Sequence, residues 1–496
     1  MLVRNATLAD GRRRDVRVRG EKIAAVGTDL DPDGGERVVD ATGKRLLPGM
    51  IDVHVHFREP GFSHKETWAT GSRSAAAGGV TTVVDQPNTD PPTIDGNTFD
   101  QKADYAERSR VDYGINGGVT PNWVPGVLLH RPIFALGEVF LADSTGEMGI
   151  DTELFADALD RAAARDVPVT VHAEDATEFN VSAKERDDPD AWSAYRTARA
   201  EVAAVERAGA IAREREATVH IAHASTPRGI DLAAQAGMTT EVTPHHLLLS
   251  RNHLPDLGTH GRMNPPLRRE KRRQGVYERV ADGTVDVVAT DHAPHTAAEK
   301  DHSIWEAPSG VPGVETALPL LLAEVDAGRL TFERIRDLTA RNPARIFDLV
   351  AKGAVEVGSD ADLVLVDPDD TREIRAADLH TTCDWTPFEG WTGVFPEWTM
   401  VRGRIVYDRS GEGVKEEGDA DEAAKEDEED AEKFLDDPVG RNVRVPRESK
   451  EYDDDDGAGP SDRPDSADPV TEPTSEAQTV EEAPSTESST ETGNPP

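Results

Sequence analysis

Ile51-Asp52-Val53-His54-Val55-His56-Phe57-Arg58 is the stretch on which the reading of this chain turns. Its β-branched residues predict a strand, and on a strand residues two apart face the same side. His54 and His56 therefore point together with an apolar residue between them, and two imidazoles at that spacing can grip one metal ion. A lone buried histidine is ordinarily a satisfied core residue. A pair on one face, at a strand end, points instead to a metal site.

Seven further runs of this kind lie downstream: Thr81–Gln86, Tyr113–Val119, Phe134–Leu141, Pro168–Ala173, Thr218–Ala222, Thr239–Thr243 and Asp286–Thr290. Helical patterns such as Asp151–Arg165, Ala194–Arg215 and Arg268–Ala281 separate several of them. Eight strand–helix units over about 250 residues predict an α/β fold, a (β/α)8 TIM barrel, whose C-terminal strand ends converge on one site. A doubly wound open sheet competes, but it calls for a glycine-rich phosphate loop after an early strand, and the sequence has none.

The strand ends carry the polar residues. The fifth run ends Val171-His172-Ala173-Glu174, the sixth Ala222-His223-Ala224-Ser225 and the eighth Thr290-Asp291-His292. With His54 and His56, these supply four histidines and an aspartate, enough for two divalent ions. Two neighbouring dications repel, so a bridging carboxylate is expected. Glu138 and Asp143, at and just past the fourth strand, are the candidates. The other histidines receive structural readings. His220, three residues before His223, is expected to face the opposite side and pack on a helix. His245 and His246 shape the end of the seventh strand, and His64 sits in an exposed loop.

Outside the eight units the texture changes. Residues 2–47 alternate in short runs such as Asp15–Arg19 and Lys22–Val26, and residues 353–408 return to runs such as Ala361–Val366 and Trp398–Val401. The expected organisation is residues 1–47 and 346–410 as two parts of one small β-sandwich domain, 48–345 as the barrel, and 411–496 as an acidic insertion and disordered tail. Residues 412–432 are dense in Asp and Glu, and from about Val445 the chain is mostly Pro, Ser, Thr, Glu and Asp. Such a composition buries too little apolar surface to offset the ordering entropy.

Net charge is −40 over 496 residues, and more than half of it lies from Gly411 to Pro496, where 29 Asp and Glu face 8 Lys and Arg. This surface repels nucleic acid and anionic membranes, so neither is expected as a partner. It suits a salt-rich cytoplasm, where a short Debye length screens self-repulsion and stability should rise with KCl. The one cysteine, Cys383, excludes an internal disulfide and a thiolate metal site. Met1-Leu2-Val3-Arg4-Asn5 lacks the apolar core of a signal peptide, and no run approaches the ~18 apolar residues of a membrane span. A soluble cytoplasmic protein is expected.

His54-Val55-His56-Phe57-Arg58-Glu59-Pro60-Gly61 resembles the opening signature of class I dihydroorotases in the amidohydrolase superfamily. The likeness continues in order through Gln86-Pro87-Asn88-Thr89, Glu241-Val242-Thr243-Pro244-His245-His246, Met263-Asn264-Pro265-Pro266-Leu267-Arg268 and Ala289-Thr290-Asp291-His292-Ala293-Pro294-His295. It spans residues 1 to about 410, and Phe434–Arg444 resembles the family's C-terminal end. The resemblance implies a metal-dependent hydrolase of cyclic amides. Its reaction would be the reversible cyclisation of N-carbamoyl-L-aspartate to L-dihydroorotate in de novo pyrimidine biosynthesis.

The resemblance also implies roles. His54, His56 and Asp291 would hold one metal, and His172 and His223 the other. Zn²⁺ suits these ligands, with Mn²⁺ or Co²⁺ as alternatives. A metal-activated water would attack, with Asp291 as general acid and base. Arg58, Asn88, Asn264 and His295, alongside His56, would bind the substrate, and the loop Pro308-Ser309-Gly310 would close over it. Many relatives place a carboxylated lysine on the fourth strand. Gly137–Asp143 here holds none, and Glu138 stands in its place. Glu138 is preferred over Asp143 as the bridge because its side chain can span two ions. The reading admits a homodimer. The rivals are a hydantoinase, dihydropyrimidinase or allantoinase on the same fold, against which Arg58 and the missing lysine argue, and a catalytically inactive scaffold, against which the full ligand set argues.

Overall fold

Five short strands open the chain in the computed structural model, which describes residues 1–142, 148–410 and 433–446. They are β1 (Leu2–Thr7), β2 (Arg13–Arg19), β3 (Lys22–Gly27), β4 (Val38–Asp40) and β5 (Arg45–Pro48). The eight expected inner strands follow as β6 (Met50–Val55), β7 (Val80–Asp85), β8 (Asp112–Ile115), β9 (Leu136–Leu141), β11 (Val169–Ala173), β12 (Val219–Ile221), β13 (Thr239–Val242) and β14 (Val287–Val288). A two-residue β10 (Gly149–Ile150) pairs beside β9.

Every pairing among the inner strands is parallel. Two bridges close the ring: Gly117 pairs with Leu136, joining β8 to β9, and Val55 pairs with His292, joining β6 to the end of β14. Strands β6 to β9 are buried at every residue. That is why they read as near-continuous apolar runs, since parallel strands are covered on both faces. The helices that cover them start from short polar caps directly after the strand-end loops. Thr67, Asp95, Asp151, Thr197 and Thr226 each accept a first-turn amide. Capping by Thr197 also divides the expected helix Ala194–Arg215, which is observed as Ala191–Tyr195 and Ala198–Glu214.

The remaining strands, β15 (Leu363–Glu373), β16 (Thr392–Val401) and β17 (Arg404–Asp408), pair with the opening ones in a single sheet ordered β17-β16-β15-β5-β1-β2-β3, with β4 on β1. The junction is the antiparallel register of Leu363 to Val366 against Pro48 to Arg45. This sheet has an apolar core of its own, in which Val3, Val16, Ile23, Leu46, Leu363, Leu365, Trp398 and Met400 pack together. Residues 433–446 return to the barrel: Tyr113 exchanges backbone bonds with Arg441 and Val443, and Gly440 donates to the Ser109 carbonyl. The acidic stretch 412–432 and the tail beyond Pro446 lie outside the described residues.

Candidate metal centre

Five of the inner strands, at or near their C-terminal ends, turn polar side chains toward one another. His54 and His56 come from β6 and the residue after it, His172 from β11, His223 from the residues after β12, and Asp291 from those after β14. Glu138 comes from within β9. Local backbone helps present Glu138. Gly137 before it has φ +148°, and a Cβ there would run into Thr170 of the next strand. Asp143, the alternative bridge, lies outside the described residues.

Two groups of potential ligand atoms converge. In His54, His56 and Asp291, and again in His54, Glu138 and His223, all ligand atoms lie within 4.8 Å of one another. His172 joins the second group, with Nδ1 3.0 Å from His223 Nε2 and 3.4 Å from Glu138 Oε2. All six residues assigned to metal from the sequence are therefore brought together, and all are buried.

The cluster has the character of a cation site. His54 Nε2 is buried without a hydrogen-bond partner, 3.6 Å from Asp291 Oδ1 and 3.7 Å from Glu138 Oε1. Behind it, His54 donates its Nδ1–H to Glu241 Oε1 at 2.6 Å, which aims Nε2 into the cluster, where a metal ion can take the place of a proton. His56 repeats the pattern, donating Nδ1–H to Asn88 Oδ1 at 2.8 Å with Nε2 3.0 Å from Asp291. Burial alone would depress the His54 pKa, but the carboxylates of Glu241 and Glu138 hold it well above its ordinary value. In the same way burial pushes the Glu138 carboxyl up, yet His223 and His54 hold it well below the usual range. The cluster's field favours positive charge, and four imidazoles with two carboxylates are a donor set that divalent ions fit.

A second cluster hangs from the same strand ends. Arg58 follows His56 by two residues, and His295 follows Asp291 by four. Arg58 Nε donates to the Pro294 carbonyl at 3.1 Å, and its Nη2 lies 3.1 Å from His295 Nε2. Lys65 Nζ donates to His295 Nδ1 at 3.1 Å, so His295 carries its hydrogen on Nε2 and donates to the Ser309 carbonyl at 3.0 Å. Burial, then the charges of Arg58 and Lys65, push the His295 pKa far down and keep the ring neutral. Gly310 sits at φ +138°, where a Cβ would strike the Ala293 carbonyl. Asn264 does not meet this cluster by its side chain, which accepts from Trp192 Nε1 at 3.0 Å. It joins through its backbone neighbour: the Arg262 carbonyl takes the Gly310 N–H at 3.0 Å.

The structure amends the expectation for His220 and adds Glu241 and Lys300, which the sequence pattern left without a role. His220 was assigned to the far side of its strand, and its ring does lie 5.4 Å from that of Phe347. Its Nε2, however, is 3.2 Å from Glu241 Oε2, on the side of the metal ligands. Strict alternation fails because β12 ends at Ile221 and His223 adopts φ +34°, so the count of residues no longer gives the face. Glu241 itself stood inside a quoted motif without a role, because a carboxylate between Thr240 and Val242 looks like any outward strand residue. Lys300 was unremarked, yet its fully buried ammonium donates to the carbonyls of Arg262, Pro308 and Gly310 at 2.9–3.0 Å. His245 and His246 lie just past the end of the seventh strand, in the buried short helix Pro244–Leu248. His64 is exposed.

Comparison with known proteins agrees with this geometry. A family model described as the amidohydrolase family matches residues 144–406, and one described as dihydro-orotase-like matches residues 43–228. A protein named dihydroorotase from Halobacterium salinarum is 65% identical over 409 residues, covering 82% of this chain and 96% of that one. A dihydroorotase from Methanosarcina acetivorans is 41% identical over 451 residues, covering 85% and 95%. Among solved structures, an L-hydantoinase (dihydropyrimidinase) from Arthrobacter aurescens superposes with a TM-score of 0.78 at 28% identity, covering 82% of this chain and 96% of that one. The parallel barrel, the strand-end histidines and these matches have one common explanation: the chain belongs to the amidohydrolase family, in its dihydroorotase-like branch.

Proposed function

We propose that the chain is a dihydroorotase, interconverting N-carbamoyl-L-aspartate and L-dihydroorotate in pyrimidine biosynthesis. The observation that carries the substrate choice is the buried guanidinium of Arg58, which donates to the Pro294 carbonyl and lies beside neutral His295 but has no ion pair with a carboxylate among the described residues. A buried cation without a carboxylate partner of its own calls for an anionic one. A ring carboxylate supplies it, and the planar guanidinium fork matches that group. Hydantoin and dihydrouracil lack a carboxylate to place there.

His54, His56 and Asp291 would hold one divalent ion, and Glu138, His172 and His223 the second. Zn²⁺ is the first choice, with Mn²⁺ or Co²⁺ alternatives. Bound there, the ions supply Lewis acidity, which makes water more acidic and an amide carbonyl more electrophilic. In the hydrolytic direction Asp291 removes the proton of the attacking water and delivers it to the departing ring nitrogen. Burial pushes the Asp291 carboxyl up, but His56 and His54 hold it below the usual range, so it starts as the base. Arg58, with His295 beside it, fixes the substrate carboxylate, Asn88 holds the His56 ring, and Asn264, Ser309 and Gly310 would contact the rest of the substrate.

Residues 1–47 and 346–410 act as one accessory β domain around the shared sheet, beside the barrel of residues 48–345. No helix of the described residues is long and apolar enough to cross a membrane. We place the enzyme in the cytoplasm; a homodimer is compatible with this reading, and sedimentation checks it. The deciding experiment assays metal-stripped and metal-restored protein on dihydroorotate, hydantoin, dihydrouracil and allantoin. Restored turnover of dihydroorotate above the others supports the assignment, and a preference for a neutral ring overturns it.

A further inference from the structure

Glu241, on β13, is 1% exposed and takes no part in the chemistry above. Its Oε1 receives the Nδ1–H of His54 at 2.6 Å and the backbone N–H of His223 at 3.1 Å. Its Oε2 faces His220 Nε2 at 3.2 Å, and His220 is steadied at Nδ1 by Thr239 Oγ1 at 2.8 Å. An ionised carboxylate is an acceptor only. It therefore keeps a hydrogen on His54 Nδ1 and turns Nε2, the atom left for a metal, toward Asp291 and Glu138. His54 is the one residue shared by both ligand groups, and His223 belongs to the second. One oxygen thus holds a member of each group.

We propose that Glu241 is the positioning residue of the whole centre, setting the affinity for both ions by fixing the His54 tautomer and the seat of His223 together. The proposal rests on the two-ion reading above. If Glu241 served packing alone, a neutral isostere would do as well. Glu241→Gln keeps the shape but removes the charge, and it can offer an N–H to His54, which then carries its hydrogen on Nε2. Partners of this kind change metal affinity by about 10–100-fold.

The test titrates wild-type and Glu241→Gln apoprotein with Zn²⁺ against a chromophoric chelator, and with Co²⁺ followed by visible absorption. The variant is expected to bind both ions about 10–100-fold more weakly, with a changed Co²⁺ spectrum, while its apoprotein unfolds at the wild-type temperature. Should the Gln variant fail to fold, Glu241→Asp replaces it. That variant keeps the charge but withdraws it by one methylene, and it is expected to weaken both ions to a smaller degree. Wild-type affinities and an unchanged spectrum in a folded variant overturn the proposal. A wild type that takes up no ion would instead sink the two-ion reading.

Discussion

The two halves of the site are held by different means. On the metal side the two histidines of the first inner strand are braced by side chains outside the cluster: His54 by Glu241 and His56 by Asn88. On the substrate side the braces run to backbone carbonyls: Arg58 to Pro294, His295 to Ser309, and Lys300 to Arg262, Pro308 and Gly310. The first arrangement fixes charges on rigid strand ends. The second pins loops, which have no side-chain ladder of their own. Damage to the metal side should therefore appear in turnover and metal content, and damage to the substrate side in KM and loop mobility.

The sharpest cut falls at Asp291, the one residue with a role on the metal side and in proton transfer. Asp291→Asn should lower kcat by about 10²–10⁴-fold, the worth of a positioned general base. Turnover per bound metal is the measurement, and a near-normal rate would remove Asp291 from that role. Arg58→Ala comes next. Loss of a charge-assisted contact to the carboxylate should raise KM by about 10–100-fold, with kcat changed much less. A fall in kcat with KM unchanged would mean that Arg58 acts on the transition state and that the two halves are not separable. Lys300→Met tests the pinning itself. Three carbonyls lose their donor, and hydrogen exchange over residues 306–312 should accelerate while KM rises several-fold. The cost in stability should be about 1–3 kcal/mol.

The barrel could be read from the sequence because its strands are interior and parallel, so each showed as an apolar run, and the first, fifth, sixth and eighth carried His or Asp at their ends. The clustering of the proposed ligands was readable for the same reason: a strand end in this fold has only one place to point. The braces behind them were not. Glu241 occupies a position in its strand that alternation cannot distinguish from a solvated one. His220 defeated the two-residue rule because the backbone turns to a positive φ at His223. Lys300 lies in the short helix Ala297–Lys300, where a sequence shows an ordinary surface lysine. Only the approach of residues 262, 308 and 310 from elsewhere in the chain makes it a buried clamp.

The smallest effect comes from the lone thiol, which reports on the substrate side without touching substrate. Cys383 is buried and its Sγ–H points to the His295 carbonyl at 3.3 Å, beside the Trp385 Nε1–H that donates to the same oxygen at 2.8 Å. Burial pushes the thiol up to about 12. At pH 8 only about one molecule in 10⁴ would then carry the thiolate, against roughly a quarter for a free cysteine. Native protein should accordingly resist a thiol reagent at pH 8, and unfolded protein should react at once. The raised pKa also gives a sign: reaction from the closed state should speed tenfold per pH unit up to pH 12, whereas reaction through local opening should level off near the free-thiol pKa. In Lys300→Met the opening route should grow, because the clamp and the thiol share the wall around His295. In Asp291→Asn it should not. Equal labelling in the two variants would show that the halves of the site loosen together, and the contrast between side-chain and backbone bracing would then carry no mechanical meaning.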